Sequence, residues 1–267
     1  MNLRHALYAL NALSARELIK FWQQKGRLLS ALVRPALWLL VFAAGFQNVF
    51  GVSIIPPYET YIEYQVYIAP GLLAMVLLFN GMQTSLAMVY DREMGVMRLL
   101  LTAPLPRWYL LLCKLMAGTI LSVVQACAFL LMCFIFKVDL PNPGWLLAIP
   151  ALLLSGAMLG ALGLLLSVYV KQLENFASTM NFVIFPMFFI SSSLYPLWKL
   201  QESGAELVFL LAQYNPFTHA VELIRFSMYG QFNATSFLVV MGCFLVFFSA
   251  AVIGYRPQAS MGRRKTR

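Results

Sequence analysis

The chain has 267 residues, 61% of them hydrophobic and only 11% charged, with a formal net charge of +9 and a mean hydropathy of +0.77. Charged residues make up about a quarter of an ordinary soluble domain, so this much apolar surface needs a solvent other than water, and lipid is the natural one. The positive charge does not point to nucleic acid, because the basic residues punctuate long apolar runs and no polar domain remains to carry a basic stripe.

The first 27 residues read as an amphipathic helix. Leu3, Leu7, Leu10, Leu13, Leu18 and Phe21 recur at helical spacing, with Arg4, Arg16 and Lys20 on the other side, the pattern of a helix lying in a membrane interface. No apolar run early enough and short enough for a cleavable signal is expected. Six segments then approach the roughly 20 apolar residues that cross a bilayer: about 28–50, 66–90, 108–136, 145–170, 176–195 and 237–255. Residues 196–236 are only moderately apolar, and neither helical piece within them is long enough to span by itself. Within them, 206–213 and the run after Asn215 read as short helices, the second with Asn215 as N-cap and Pro216 as first helical residue. A re-entrant pair of helices between spans five and six is the expectation. The fold class is therefore an all-α integral membrane protein, with residues 28–255 as its transmembrane domain and 256–267 as a basic tail.

Orientation follows from Lys and Arg. With both termini in the cytoplasm, only Lys137, Lys199 and Arg225 of the nineteen basic side chains fall outside, as the positive-inside rule requires. An even number of spans satisfies that split.

One cytoplasmic segment stands out, residues 91–107. Asp91 and Glu93 read as the acidic first turn of a short helix, Leu99, Leu100 and Leu101 as its apolar side, and Pro104 and Pro106 as its stop. Three leucines between Arg98 and Arg107 suit a docking surface better than a plain linker. The loop at 171–174 is read either as a smaller second contact or as a solvated turn. The glycines Gly156, Gly160 and Gly163 form a small-residue face, read as intramolecular helix packing before any subunit interface.

The segment from Asp91 to Lys114 resembles the cytoplasmic loop of type 2 ABC exporter permeases, through Glu93, Gly95, Leu99 to Leu101, Thr102, Pro104, Arg107 and Lys114. The stretch from Phe185 to Pro196, followed by Asn215 to Arg225, is similar to the fifth span and outer re-entrant helices of that family. The resemblance implies the transmembrane subunit of an ATP-driven exporter in a bacterial inner membrane. It implies a homodimer with two separate ATPase subunits that bind the ATP and Mg, and a coupling helix drawn from Asp91, Arg92, Glu93, Gly95, Arg98, Leu100, Thr102, Pro104 and Arg107. The chain holds no phosphate-binding GxxxxGK[ST] loop, in keeping with such a division of labour, and no cofactor of its own is expected.

Phe46, Phe50, Tyr58, Tyr61, Tyr64 and Tyr67 cluster at the outer ends of the first two spans. They read as an interfacial belt or, with Phe185, Phe188 and Phe189, as an aromatic lining for a glycan, lipid-linked or amphipathic substrate. Glu222 and Arg225, three apart, are expected to pair, with His219 nearby as an interfacial residue. Lys114 is expected to reach the cytoplasmic face by snorkelling. The cysteines Cys113, Cys127, Cys133 and Cys243 sit in apolar runs without metal-site spacing, so no metal site is expected. The rival classes are an integral membrane enzyme, for which no acid–base or metal cluster is visible, and a non-transporting scaffold.

Overall fold

A computed structural model of the chain describes residues 56–59, 62–95, 106–141, 144–170 and 172–255, with 33, 35–41 and scattered positions between 8 and 23. Those scattered positions and 35–41 are helical; the rest of the expected interfacial helix and first span lies outside the described residues. The remaining helices are α1 (Tyr64–Glu93), α2 (Arg107–Ile135), α3 (Gly144–Leu147), α4 (Ile149–Tyr169), α5 (Leu173–Phe189), α6 (Leu197–Glu202), α7 (Glu206–Tyr214), α8 (Pro216–Met228) and α9 (Ala234–Gly254). Helices α1, α2, α4 and α9 are long and apolar enough to cross a membrane, so the protein is a multi-pass membrane protein.

The long helices run alternately up and down, which gives the bundle two ends. One carries the end of α1, the starts of α2 and α5, and the ends of α4 and α9; the other carries the start of α1 and the short helices. Burial ranks the helices. In α1, 21 of 30 residues are buried, on every side, as expected for the central helix of a bundle. It packs on α2, α4, α5 and α8. In α9, more apolar still, only Ser236, Val240 and Ala251 are buried. Polar residues are almost absent from the open face of α9, as a lipid-facing surface requires.

Small residues set the closest approach. A Cβ on Gly81 of α1 would stand 3.0 Å from the Cα of Gly160 in α4, and one on Gly163 would stand 2.7 Å from Ser85 Oγ. The small-residue face of α4 is therefore spent inside the subunit, where it lets two backbones touch.

The span expected at 145–170 is found as α4, entered from α3 through Ala148, whose N–H donates to Gly144 O at 2.9 Å, with Pro150 in the first turn of α4, where its missing N–H costs least. Two expectations need correction. The span at 176–195 ends early, at Phe189. There the Ser191 and Ser193 hydroxyls donate to Phe188 O at 2.6 and 3.0 Å, taking a carbonyl that a further helical turn would use. Between Pro196 and α9 there are three short helices, not two. The expected start of α8 is found: Asn215 Oδ1 accepts from Phe217 N at 3.0 Å, with Pro216 in the first turn.

Candidate functional site

At the first end of the bundle, Asp91, Arg92 and Glu93 do not open a short helix. They are the last turn of the 30-residue α1. Carboxylates are disfavoured at a helix C-terminus by its negative dipole end, and each of the two is held by a partner elsewhere. Asp91 Oδ2 accepts from Lys114 Nζ of α2 at 2.9 Å, a pair with side chains 11% and 8% exposed. Lys114 therefore does not snorkel; its charge is matched within the bundle. Glu93 Oε1 accepts from Leu173 N at 3.0 Å, at the start of α5, where an anion meets unpaired N–H groups and the positive dipole end.

Between them, the Arg92 guanidinium donates to Ser167 O at 2.9 Å and to Val170 O at 3.1 Å. Both carbonyls belong to the end of α4, whose last turn has no intrahelical donors. Gly95 follows with φ +77°, a left-handed residue that ends α1 and that glycine adopts without steric cost. Arg107 opens α2 and is exposed. Arg98, Leu100, Thr102 and Pro104 lie outside the described residues.

Above the ion pair, Thr84, Ser85, Thr119 and Ser122 join Asp91 and Lys114 around a cavity of about 30 Å³ between α1, α2 and α4. It has room for one or two waters and is an order of magnitude below a substrate pocket.

The opposite end is built around the terminus of α5. Tyr64 OH donates to Leu194 O at 2.7 Å and Tyr67 OH to Ser192 O at 2.9 Å. Arg225 of α8 donates to the same Ser192 O at 2.9 Å, pairs with Glu222 as expected, and places its guanidinium carbon 4.2 Å from the Tyr67 ring centre. Asn215 Nδ2 donates to Met187 O at 2.8 Å and Ile190 O at 2.6 Å. Tyr58 packs edge-on against Tyr229 at 5.0 Å, and burial pushes its phenol pKa up despite the nearby Arg225 charge, so it stays neutral. His219 Nε2 lies 3.0 Å from Gln213 O.

These placements overturn one aromatic expectation. Tyr58, Tyr64 and Tyr67 are buried, so they form neither an interfacial belt nor an open lining. Phe188 is buried too, whereas Phe185 and Phe189 are exposed and stacked, centres 6.3 Å apart. Trp38 meets Phe188 and Phe189 edge-on at 5.7 and 5.9 Å. Phe46, Phe50 and Tyr61 lie outside the described residues. The sequence reading missed the serine turn after α5 and the Lys114–Asp91 pair, 23 residues apart; for the pair, only the rarity of charge in the spans offered a hint.

One further surface is distinctive. On α5, Glu174, Asn175, Ser178, Asn181, Phe182, Phe185 and Phe189 are all exposed, at spacings that put them on one face. The face is polar in its first half and aromatic in its second. Among the described residues no group of three His, Cys, Asp or Glu comes together as a metal site.

Residues 8–229 match the family model described as ABC-2 type transporter. Among similar proteins, those carrying the name transport permease ycf38 are 26% identical over 220 residues in Porphyra purpurea, covering 81% of this chain and 72% of that protein. In Cyanophora paradoxa the figure is 28% over 203 residues, covering 74% of this chain and 67% of that protein. This chain, a helical bundle with four membrane-length helices among the described residues and matched over most of its length by that family, belongs to the ABC-2 type transporter family, as a transmembrane subunit of an ABC transporter.

Proposed function

We propose that this chain is the permease of an ATP-driven exporter, working as a homodimer with two copies of a separate ABC ATPase. The observation that carries this reading is the open face of α5. Asn175, Ser178 and Asn181 are exposed on it, and polar side chains are costly against hydrocarbon. A second copy facing them across a shared path gives them polar neighbours and water. In this reading α5, 17 residues or about 25 Å long, is the fifth of six spans, residues 28–50 supply the first, and α6 to α8 form a re-entrant cap on the outer side.

The basic residues put both termini in the cytoplasm, with a bacterial inner membrane as the expected location. The first end of the bundle then faces the ATPase, and residues 94–107 dock on it, with Arg98, Leu100 and Arg107 as contacts. The aromatic half of the α5 face, Phe182, Phe185 and Phe189, suits a substrate with an apolar part, such as a lipid-linked glycan or another amphiphile.

Engineered cysteines test the path. With the four native cysteines replaced by alanine, Ser178→Cys and Phe185→Cys are expected to cross-link two copies in the membrane, whereas Leu245→Cys on the lipid face of α9 is not. Dimers trapped through Leu245→Cys and not through α5 would sink the reading.

A further inference from the structure

Asp91, Arg92 and Glu93 are consecutive, and each is tied to a different helix: α2 through Lys114, α4 through Ser167 O and Val170 O, and α5 through Leu173 N. Successive residues of a helix point about 100° apart, so three in a row sweep about 200° around α1 and reach neighbours on three sides. Two of the three ties end on backbone atoms. They hold the terminus of α4 and the first turn of α5 themselves, with no second flexible side chain between. Directly after them come Met94 and Gly95, where α1 gives way to the segment 96–105.

Stability alone is a poor reason for this arrangement. Carboxylates oppose the dipole at a helix C-terminus, and apolar side chains of similar volume in place of the buried pair would hold α1 against α2 as well or better. What charged and hydrogen-bonded ties add is fixed geometry between helix ends. A push on the segment after Gly95 meets a node, not a single helix.

We infer that Asp91, Arg92 and Glu93 form a force-dividing junction: positioning residues that make the cytoplasmic ends of α1, α2, α4 and α5 move together when the ATPase acts. The inference rests on the proposed docking of residues 94–107 and takes Asp91, Arg92 and Glu93 out of the coupling set expected from the sequence, since they serve helices of their own chain and not the ATPase. Because α1 runs buried through the whole bundle, the junction also connects that movement to Tyr64 and Tyr67 at the opposite end, which hold the carbonyls after α5.

The test uses the complete permease–ATPase complex in lipid nanodiscs, with the native cysteines replaced by alanine and pairs of spin labels on exposed positions. One pair is Met94 with Tyr169 (α1 to α4), the other Met94 with Glu174 (α1 to α5). Distances are read without nucleotide and after trapping with ATP, Mg and vanadate. With the junction intact, both distances are expected to be the same in the two states. Arg92→Met is expected to shift or broaden the Met94–Tyr169 distance only in the trapped state, and Glu93→Ala the Met94–Glu174 distance. Glu93→Gln, which keeps the acceptor oxygen, is expected to restore it. Arg92→Lys, a milder change with no paired donors, is the second variant should Arg92→Met not fold; it too is expected to release α4.

A purely structural role would lower the melting temperature and leave the nucleotide-dependent distances as they were, which would overturn the inference. So would loss of ATPase co-purification by Arg92→Met, since that would make Arg92 a docking contact. The docking reading fails separately: if Arg98→Ala combined with Leu100→Ala leaves the ATPase fully bound, docking lies elsewhere and the junction falls with it.

Discussion

At one end of the bundle a single helix holds three others; at the opposite end several elements hold a single helix terminus. The end of α1 sends Asp91, Arg92 and Glu93 to α2, α4 and α5. The end of α5 is held in turn by Tyr64 and Tyr67 from α1, Arg225 from α8 and Asn215 ahead of α8. The first pattern spreads a displacement over many helices, and the second gathers constraints on one short stretch of carbonyls. In an ABC transporter subunit the two suit different tasks. Under the proposed docking of residues 94–107, the hub stands next to the segment on which the ATPase acts, and the tethered terminus of α5 stands at the far end of the bundle.

The contrast breaks most sharply at the buried ion pair. Lys114→Met leaves the Asp91 carboxylate without its partner at 11% side-chain exposure, a change that costs about 3–5 kcal/mol in buried pairs. Thermal unfolding of the protein in detergent or nanodiscs is the measurement. Adding Asp91→Leu removes the stranded charge and is expected to recover stability to within about 1 kcal/mol of the starting protein. Failure of the double variant to recover would mean that the pair contributes more than it costs to bury. At the opposite end, Arg225→Met removes the donor shared by Ser192 O and Glu222. The expected loss is about 2–3 kcal/mol. It is smaller because the Glu222 side chain is 22% exposed and regains water. Faster proteolysis between residues 190 and 216 would place the damage at the tethered break.

Much of this bundle is visible in hydropathy. The runs at 66–90, 108–136 and 237–255 differ from α1, α2 and α9 by three residues or fewer at each end, because a helix that must cross lipid has to be apolar for its whole length. Asn215 and Pro216 are legible for a local reason, since a cap acts on N–H groups two residues away. The pairing of Glu222 with Arg225 is legible because residues three apart share a helix face. What a sequence hides are partners fixed by tertiary position. Nothing near Asp91 in the chain says that Lys114 stands beside it. Its acidity suggested a helix start by the dipole argument, whereas the fold uses it at a helix end where a lysine offsets the penalty. Tyr58, Tyr64 and Tyr67 misled in a similar way: their composition fits an interfacial belt, and only packing against α8 and the serine turn makes them interior.

Asn215 lets the tethered end be loosened more gently. Asn215→Ala removes both the cap on Phe217 N and the donors to Met187 O and Ile190 O. Caps are worth about 1 kcal/mol, and the stranded carbonyls can turn toward neighbouring donors, so the expected loss is about 1–2 kcal/mol. If the loss equals that of Arg225→Met, the end of α5 is held by one cooperative network; if it is clearly smaller, the tethers act separately.

Glu93→Ala is expected to change stability least, by about 0.5 kcal/mol, because a carboxylate on an exposed helix N-terminus gains only a modest dipole and hydrogen-bond contribution. Glu93 is exposed, and water takes over the Leu173 N–H when the side chain is shortened. That small number gives the variant its use. At the tethered end, every weakening is expected to appear in unfolding. At the hub, Glu93→Ala is expected to leave the melting temperature almost unchanged and still uncouple α5 from α1 when nucleotide is trapped. An equally small effect on both would make the tie to α5 ornamental and reduce the hub to α2 and α4. A large loss of stability would mean that the first turn of α5 depends on this one carboxylate to form at all.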